Sequence, residues 1–108
     1  VEENTWILHD LEKGLENVLI IVEDPLIIIR VNVMKVPPND RERLYEKLLQ
    51  LNASDLLHGA YAIDGENIII TDTLESDTVD FEEFQASLDA IGLALAQHYA
   101  TLSQFRNN

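Results

Sequence analysis

The residues best suited to chemistry in this chain are three histidines, His9, His58 and His98, and a large excess of carboxylates. An imidazole beside a carboxylate can serve as a general base or ligate a metal, and Asp10 directly follows His9. Neighbours on a strand point to opposite faces, so those two side chains do not converge on one atom. No two histidines stand at local metal-ligand spacing. Ser54, Asp55 and His58 carry the letters of a hydrolase triad, but the strained Gly-x-Ser-x-Gly elbow that aims a nucleophile is missing. The expected role of that stretch is a polar helix-to-strand connector. Asp72, Glu75, Asp77, Asp80, Glu82 and Glu83 make an acidic run. A calcium loop needs ligands at alternating positions around a central glycine, and no glycine lies between Asp72 and Glu83. Adjacent helical residues diverge, so Glu82 and Glu83 do not form an acid–base pair. No G-x-G-x-x-G or P-loop is present to cradle a nucleotide. The expectation is a protein with no catalytic residues, no metal and no cofactor.

The length, 108 residues, suits one domain spanning positions 1–108. With 46% hydrophobic residues the chain can build a core, which argues against disorder. Twenty acidic residues against seven basic ones leave a formal net charge of -13. Such a surface repels phosphate backbones and anionic lipid, so neither nucleic acid nor membrane is an expected partner. It acts as a solvating surface or as a counterpart for a basic segment of another protein. The chain has no cysteine, which removes disulfides, thiolate metal sites and a Cys nucleophile. No charged start precedes an apolar signal core, and a cytoplasmic location is expected. The apolar stretches Val18 to Val22 and Leu26 to Ile29 are far too short to span a bilayer. They are β-branched, as buried strands are.

The elements that would position these side chains alternate in a definite order. Thr5 to Asp10 reads as a short strand with Trp6 and Leu8 on one face, and Leu11 to Leu15 reads as a turn. A strand follows from Glu16 and is interrupted at Glu23-Asp24-Pro25, where proline has no N–H to donate. Leu26 to Val36 resumes it, first apolar on both faces, then alternating from Arg30. Pro37-Pro38 ends it. Asn39 or Asp40 offers an N-cap for a helix to about Leu51, with Leu44, Leu48 and Leu51 as the buried stripe, Arg43 pairing with Glu46, and Asn52 as a left-handed stop. Gly59 to Ile63 and Asn67 to Thr73 form a hairpin turning at Asp64-Gly65. Asp80 followed by Glu83 has capping-box logic. The helix beyond carries Phe81, Phe84, Leu88, Ile91, Leu95, Leu102 and Phe105 in steps of three and four, with His98 in the vacant place. The order β-β-β-α-β-β-α defines an α+β, two-layer domain in which helices cover an antiparallel sheet.

The runs Leu44 to Asn52, His58-Gly59-Ala60-Tyr61, Asp72-Thr73-Leu74 and Asp80 to Phe84 resemble the YbjN-type domain. That family is similar in fold to the Tir/CesT-type chaperones of type III secretion. The resemblance extends from Trp6 to Phe105 and rests on packing and turn patterns. It implies an often dimeric, cytoplasmic bacterial protein without known catalytic residues, and a helix ahead of the first strand, which the residues before Trp6 do not form. The expected function is a non-enzymatic, chaperone-like protein-binding domain, whose partner lies along a sheet edge or in an apolar groove. The alternative is a small-molecule sensor with a pocket between sheet and helix. The candidate contact residues are Trp6, Leu8, Val33 and Met34, with Leu93 off the main seam of the last helix.

Overall fold

The structure, a computed structural model, describes residues 4–10, 15–56 and 58–106, without the side chains of residues 8–10 and 15–17. Seven elements follow the expected order: β1 (Thr5–Asp10), β2 (Leu15–Glu23), β3 (Leu26–Lys35), α1 (Arg41–Ser54), β4 (Ala60–Asp64), β5 (Asn67–Glu75) and α2 (Phe81–Arg106). The strands form one antiparallel sheet in the order β1-β2-β3-β5-β4. Asp24 and Pro25 turn β2 into β3, with Glu23 opposite Leu26. Register places Ile20 opposite Ile29, Val31 opposite Ile70, and Ile70 opposite Tyr61. These residues belong to one sheet face, and all are buried beneath the helices. Leu44, Leu48 and Leu51 of α1 and Leu88, Ile91 and Leu102 of α2 complete the core, as the three-four spacing predicts. The helices contact mainly β3, β5 and β4, and among the described residues Trp6 at the β1 end of this face is 53% exposed.

Several local expectations are revised. The hairpin turn is Gly65-Glu66, not Asp64-Gly65, because Asp64 pairs with Asn67 as the last strand residue. Gly65 has φ 59° at the first loop position, where a type II′ turn requires glycine. Helix α1 does not stop at Asn52 but continues to Ser54. Its N-cap is Asp40, in a left-handed conformation at φ 61°, and Arg43 reaches back to Asp40 at 3.8 Å instead of pairing with Glu46. The start of β3 is not buried on both faces: Ile29 is inaccessible, whereas its neighbour Ile28 is only half-buried. A register shift between Asn32 and Met34 then breaks the alternation expected through Val33. Phe81 is 76% exposed. It is the first residue of α2 and projects from the helix start, so the buried seam begins instead with half-buried Phe84. Asp80 caps as expected, its Oδ1 accepting from the Glu83 N–H at 2.7 Å. The turn expected at Leu11 to Leu15 falls outside the described residues as far as Gly14.

Candidate protein-binding surface

Both ends of the sheet expose a strand edge in principle, and the chain treats them differently. On β4, the backbone N–H of Tyr61 donates to Asn52 Oδ1 at 2.7 Å, and Asn52 Nδ2 donates to the Tyr61 carbonyl at 3.2 Å. One side-chain amide thus occupies both outward backbone groups of Tyr61, as a neighbouring strand would. On β1, the Val22 N–H donates to the Asn4 carbonyl at 2.9 Å. Asn4 and the alternate residue Trp6 therefore face β2, and the N–H and C=O groups of Thr5 and Ile7 point out of the sheet. From Asn4 to Ile7 the edge carries no charge and no proline, the usual guards against pairing.

Side chains along this edge are apolar and open. Trp6 shares the helix-bearing face with its partner Ile20 and is 53% exposed, because the helices lie towards the other edge. Ile7 points to the opposite, helix-free face and is 50% exposed. There it adjoins half-buried Leu19, with Ile21 and Ile28 paired one row further along. The same face is hollowed to about 420 Å³ among Ile7, Leu19, Arg30, Asn32, Asp64 and Asn67. An Arg30–Asp64 ion pair crosses it. Ile69 lies on this face too, yet is only 5% exposed.

A second, smaller groove of about 260 Å³ runs between α1 and β4, walled chiefly by Tyr45, Leu48, Leu49 and Ile63. Two of its three polar side chains, Asn52 and Tyr61, are already engaged. Asn52 holds the β4 backbone, and the Tyr61 hydroxyl meets His98 Nδ1 at 2.8 Å. His98 is buried in the α2 seam, and its Nε2 lies 3.2 Å from Asp55 Oδ2 at the end of α1. A carboxylate only accepts, so Nε2 donates to Asp55, and in the neutral imidazole Nδ1 then accepts from the Tyr61 hydroxyl. This chain of contacts clasps α1, α2 and β4 together. Hydrogen bonding from the Ser54 hydroxyl, then from His98, holds the Asp55 carboxyl below the usual range. Burial pushes the Tyr61 hydroxyl up to about 12.

The stretch from Ser54 to His58 is expected to be a polar connector rather than a triad. In the structure its Asp55 meets His98 of α2, and His58 is exposed. The readable signal was the place of His98 in an apolar seam, which obliges it to find partners. Asp72, counted with the acidic run, accepts from the buried Ser87 hydroxyl of α2. Among the described residues no group of His, Asp and Glu could hold a metal ion, and no helix is long and apolar enough to cross a membrane. The proposed contact residues do not form one patch. Trp6 stands on the open edge, whereas Val33 and Met34 are half-buried against the core. Leu93 is 59% exposed on α2. The Leu8 side chain lies outside the described residues.

A five-stranded antiparallel sheet with two helices on one face is the fold of secretion-chaperone-like α+β domains. The chain belongs to the CesT_Tir_1 family, whose model matches residues 1–108. It is similar to the heterodimeric complex ExoU–SpcU from the type III secretion system of Pseudomonas aeruginosa. That match has a TM-score of 0.75 at 18% identity and covers 89% of this chain and 80% of the other. It is also similar to YbjN, a putative transcription regulator from E. coli, with a TM-score of 0.66 at 18% identity, over 94% of this chain and 80% of that one. No functionally curated protein is significantly similar in sequence.

Proposed function

We propose that this chain is a chaperone-like protein-binding domain of the bacterial cytoplasm that receives an extended segment of a client protein along β1. The observation that carries this reading is the difference between the two edges: Asn52 occupies both outward groups of Tyr61 on β4, while the outward groups of Thr5 and Ile7 on β1 have no partner among the described residues and lie beside the exposed side chains of Trp6 and Ile7. Strand addition supplies affinity through main-chain hydrogen bonds and selectivity through alternate side chains. Membership of the CesT_Tir_1 family supports a protein partner. The net charge of -13 argues against nucleic acid and favours clients with basic residues flanking the paired segment. A sensor role finds less support, because the α1–β4 groove is mostly apolar and two of its three polar side chains, Asn52 and Tyr61, are spent inside the fold.

The test exploits the direction of the Ile7 N–H. Proline at an outward-facing edge position removes no bond to β2 but blocks an incoming strand. Wild type and Ile7→Pro, immobilised side by side, are exposed to lysate of the native cell. Proteins held by wild type and lost with Ile7→Pro support the reading. Identical sets on both overturn it.

A further inference from the structure

We propose that a cleft between α1 and α2 binds a small phosphomonoester, with its phosphate held by side chains of both helices. The cleft measures about 340 Å³, at the small end of the ~300–1,000 Å³ range of ligand pockets. Arg43, Glu46, Lys47 and Gln50 line it from α1, and Thr101, Gln104 and Phe105 line it from α2. Both sets are spaced by three and four residues, so each helix turns one stripe towards the cleft. These stripes are mainly polar, although two neighbouring helices ordinarily meet through apolar side chains. Three of the polar groups also lack an internal partner. The Lys47 ammonium, the Thr101 hydroxyl and the Gln104 amide make no hydrogen bond or ion pair among the described residues. Lys47 and Thr101 are half-buried as well, where an unmet donor loses part of its hydration.

The donor set suits a phosphate better than a carboxylate. Arg43 offers a planar fork, Lys47 a compact ammonium, and Thr101 and Gln104 neutral donors. A phosphomonoester presents three terminal oxygens to such a set, and a carboxylate only two. The Arg43 guanidinium stands over the Phe105 ring, 5.9 Å from its centroid, which places it at one wall of the cleft. It also pairs with Asp40 at 3.8 Å. Three groups oppose an anion here. Glu46 lines the cleft, although it accepts from Gln50 Nε2 at 3.4 Å. Asp55 acts on Lys47 through space. The carbonyl end of α2 is negative, and Arg106 in its last turn offsets it. The lining still holds two cations against one carboxylate, in a chain with 20 acidic and seven basic residues. That contrast sets the size of the ligand. The net charge of -13 repels a nucleic acid or an acidic protein surface as a whole body. A small anion meets chiefly the charges within the ~8 Å screening length of physiological salt.

Methyl phosphate is the probe, titrated into isotope-labelled protein at an ionic strength held constant with sodium chloride. Amide resonances of residues 43–50 and 101–105 should shift saturably, with a Kd on the order of 1 mM. The thermal midpoint should rise over the same concentrations, because the ligand binds the folded state alone. Acetate, of similar size, should bind at least about tenfold more weakly. Lys47→Gln should weaken methyl phosphate binding by at least about tenfold. Lys35→Gln removes the same charge outside the cleft and should weaken it by less than about twofold. Shifts that stay linear to about 50 mM, acetate binding as tightly as methyl phosphate, or equal losses in Lys47→Gln and Lys35→Gln would each overturn the proposal. The comparison of the two anions on wild type decides the matter even if a variant folds poorly. The cleft and the β1 edge belong to different elements, so this site and the proposed function stand or fall separately.

Discussion

Replacing Asn52 with alanine tests the claim that a side-chain amide holds both outward backbone groups of Tyr61 on the β4 edge. The substitution removes two hydrogen bonds, at 2.7 and 3.2 Å, to the backbone of Tyr61. Tyr61 is only 5% exposed, so water cannot fully replace the lost partner. Each bond is worth ~0.5–1.5 kcal/mol net, and more where a buried group stays unsatisfied. Alanine regains up to ~0.7 kcal/mol of helix propensity within α1. These terms leave a loss of about 0.3–2.3 kcal/mol, which the unsatisfied Tyr61 groups raise to about 1–3 kcal/mol, measured by urea unfolding with an unchanged m-value. Hydrogen exchange locates the effect, since the Tyr61 amide should lose protection while the core amides of Ile68 and Ile70 change only with global stability. Asn52→Asp refines the test. One carboxylate oxygen still accepts the Tyr61 N–H, but the other confronts the Tyr61 carbonyl, so this variant should be destabilised at neutral pH and recover as the carboxyl protonates. Stability within about 0.5 kcal/mol of wild type in Asn52→Ala, with the Tyr61 amide still protected, would refute the reasoning.

Gly59→Ala should cost more than Gly65→Ala in denaturant titration, since both have positive φ but a Cβ at Gly59 would stand 2.5 Å from the Thr71 carbonyl oxygen while Gly65 faces open space. The folded state favours the neutral Tyr61 hydroxyl, so its contribution is complete below the ordinary value of 10.0 and is lost as pH rises towards about 12. Thermal unfolding across that interval should show the loss, and Tyr61→Phe should flatten it. Asp55, held low, acts in the opposite sense: its contribution is present above the ordinary carboxyl value of 3.8 and disappears as pH falls through the lowered one, a slope that Asp55→Asn should reduce in acid titrations. At the start of α2, Asp80→Ala should lose ~0.5–2 kcal/mol by chemical denaturation. The adjacent Phe81→Ser should stay within about 0.5 kcal/mol, because Phe81 packs on little.

Periodicity carried most of the architecture. Leu44, Leu48 and Leu51 lie on the face that three-four spacing assigns them, and Asp80 caps where a carboxylate precedes a helical pattern. Local rules failed where a tertiary contact competed. Asn52 has the chemistry of a helix stop, but the bonds it makes to β4 hold it within the helix. His98 reads as a flaw in an apolar seam until Asp55 and Tyr61, 43 and 37 residues away, are brought to it by folding. The open β1 edge was legible only in part. Trp6 and Leu8 stood out as apolar residues near one end, but which strand lies outermost depends on sheet order, which β-branched runs do not encode. Phe81 misled because spacing says which side of a helix faces inward, not how far along the helix the core extends.

Helix α2 is 26 residues long, about 39 Å at ~1.5 Å per residue, against a longest molecular dimension of 41 Å. Towards each end it is tied to the sheet: the Ser87 hydroxyl donates to Asp72 of β5, and Arg106 Nη2 donates to the Val33 carbonyl at 3.3 Å. The helix therefore acts as a ruler for the whole body. Adjustment to a guest would have to come from twisting or fanning of the strands, across the rod. Two dyes attached at Glu82 and Gln104 should keep a constant separation with the guest bound or absent.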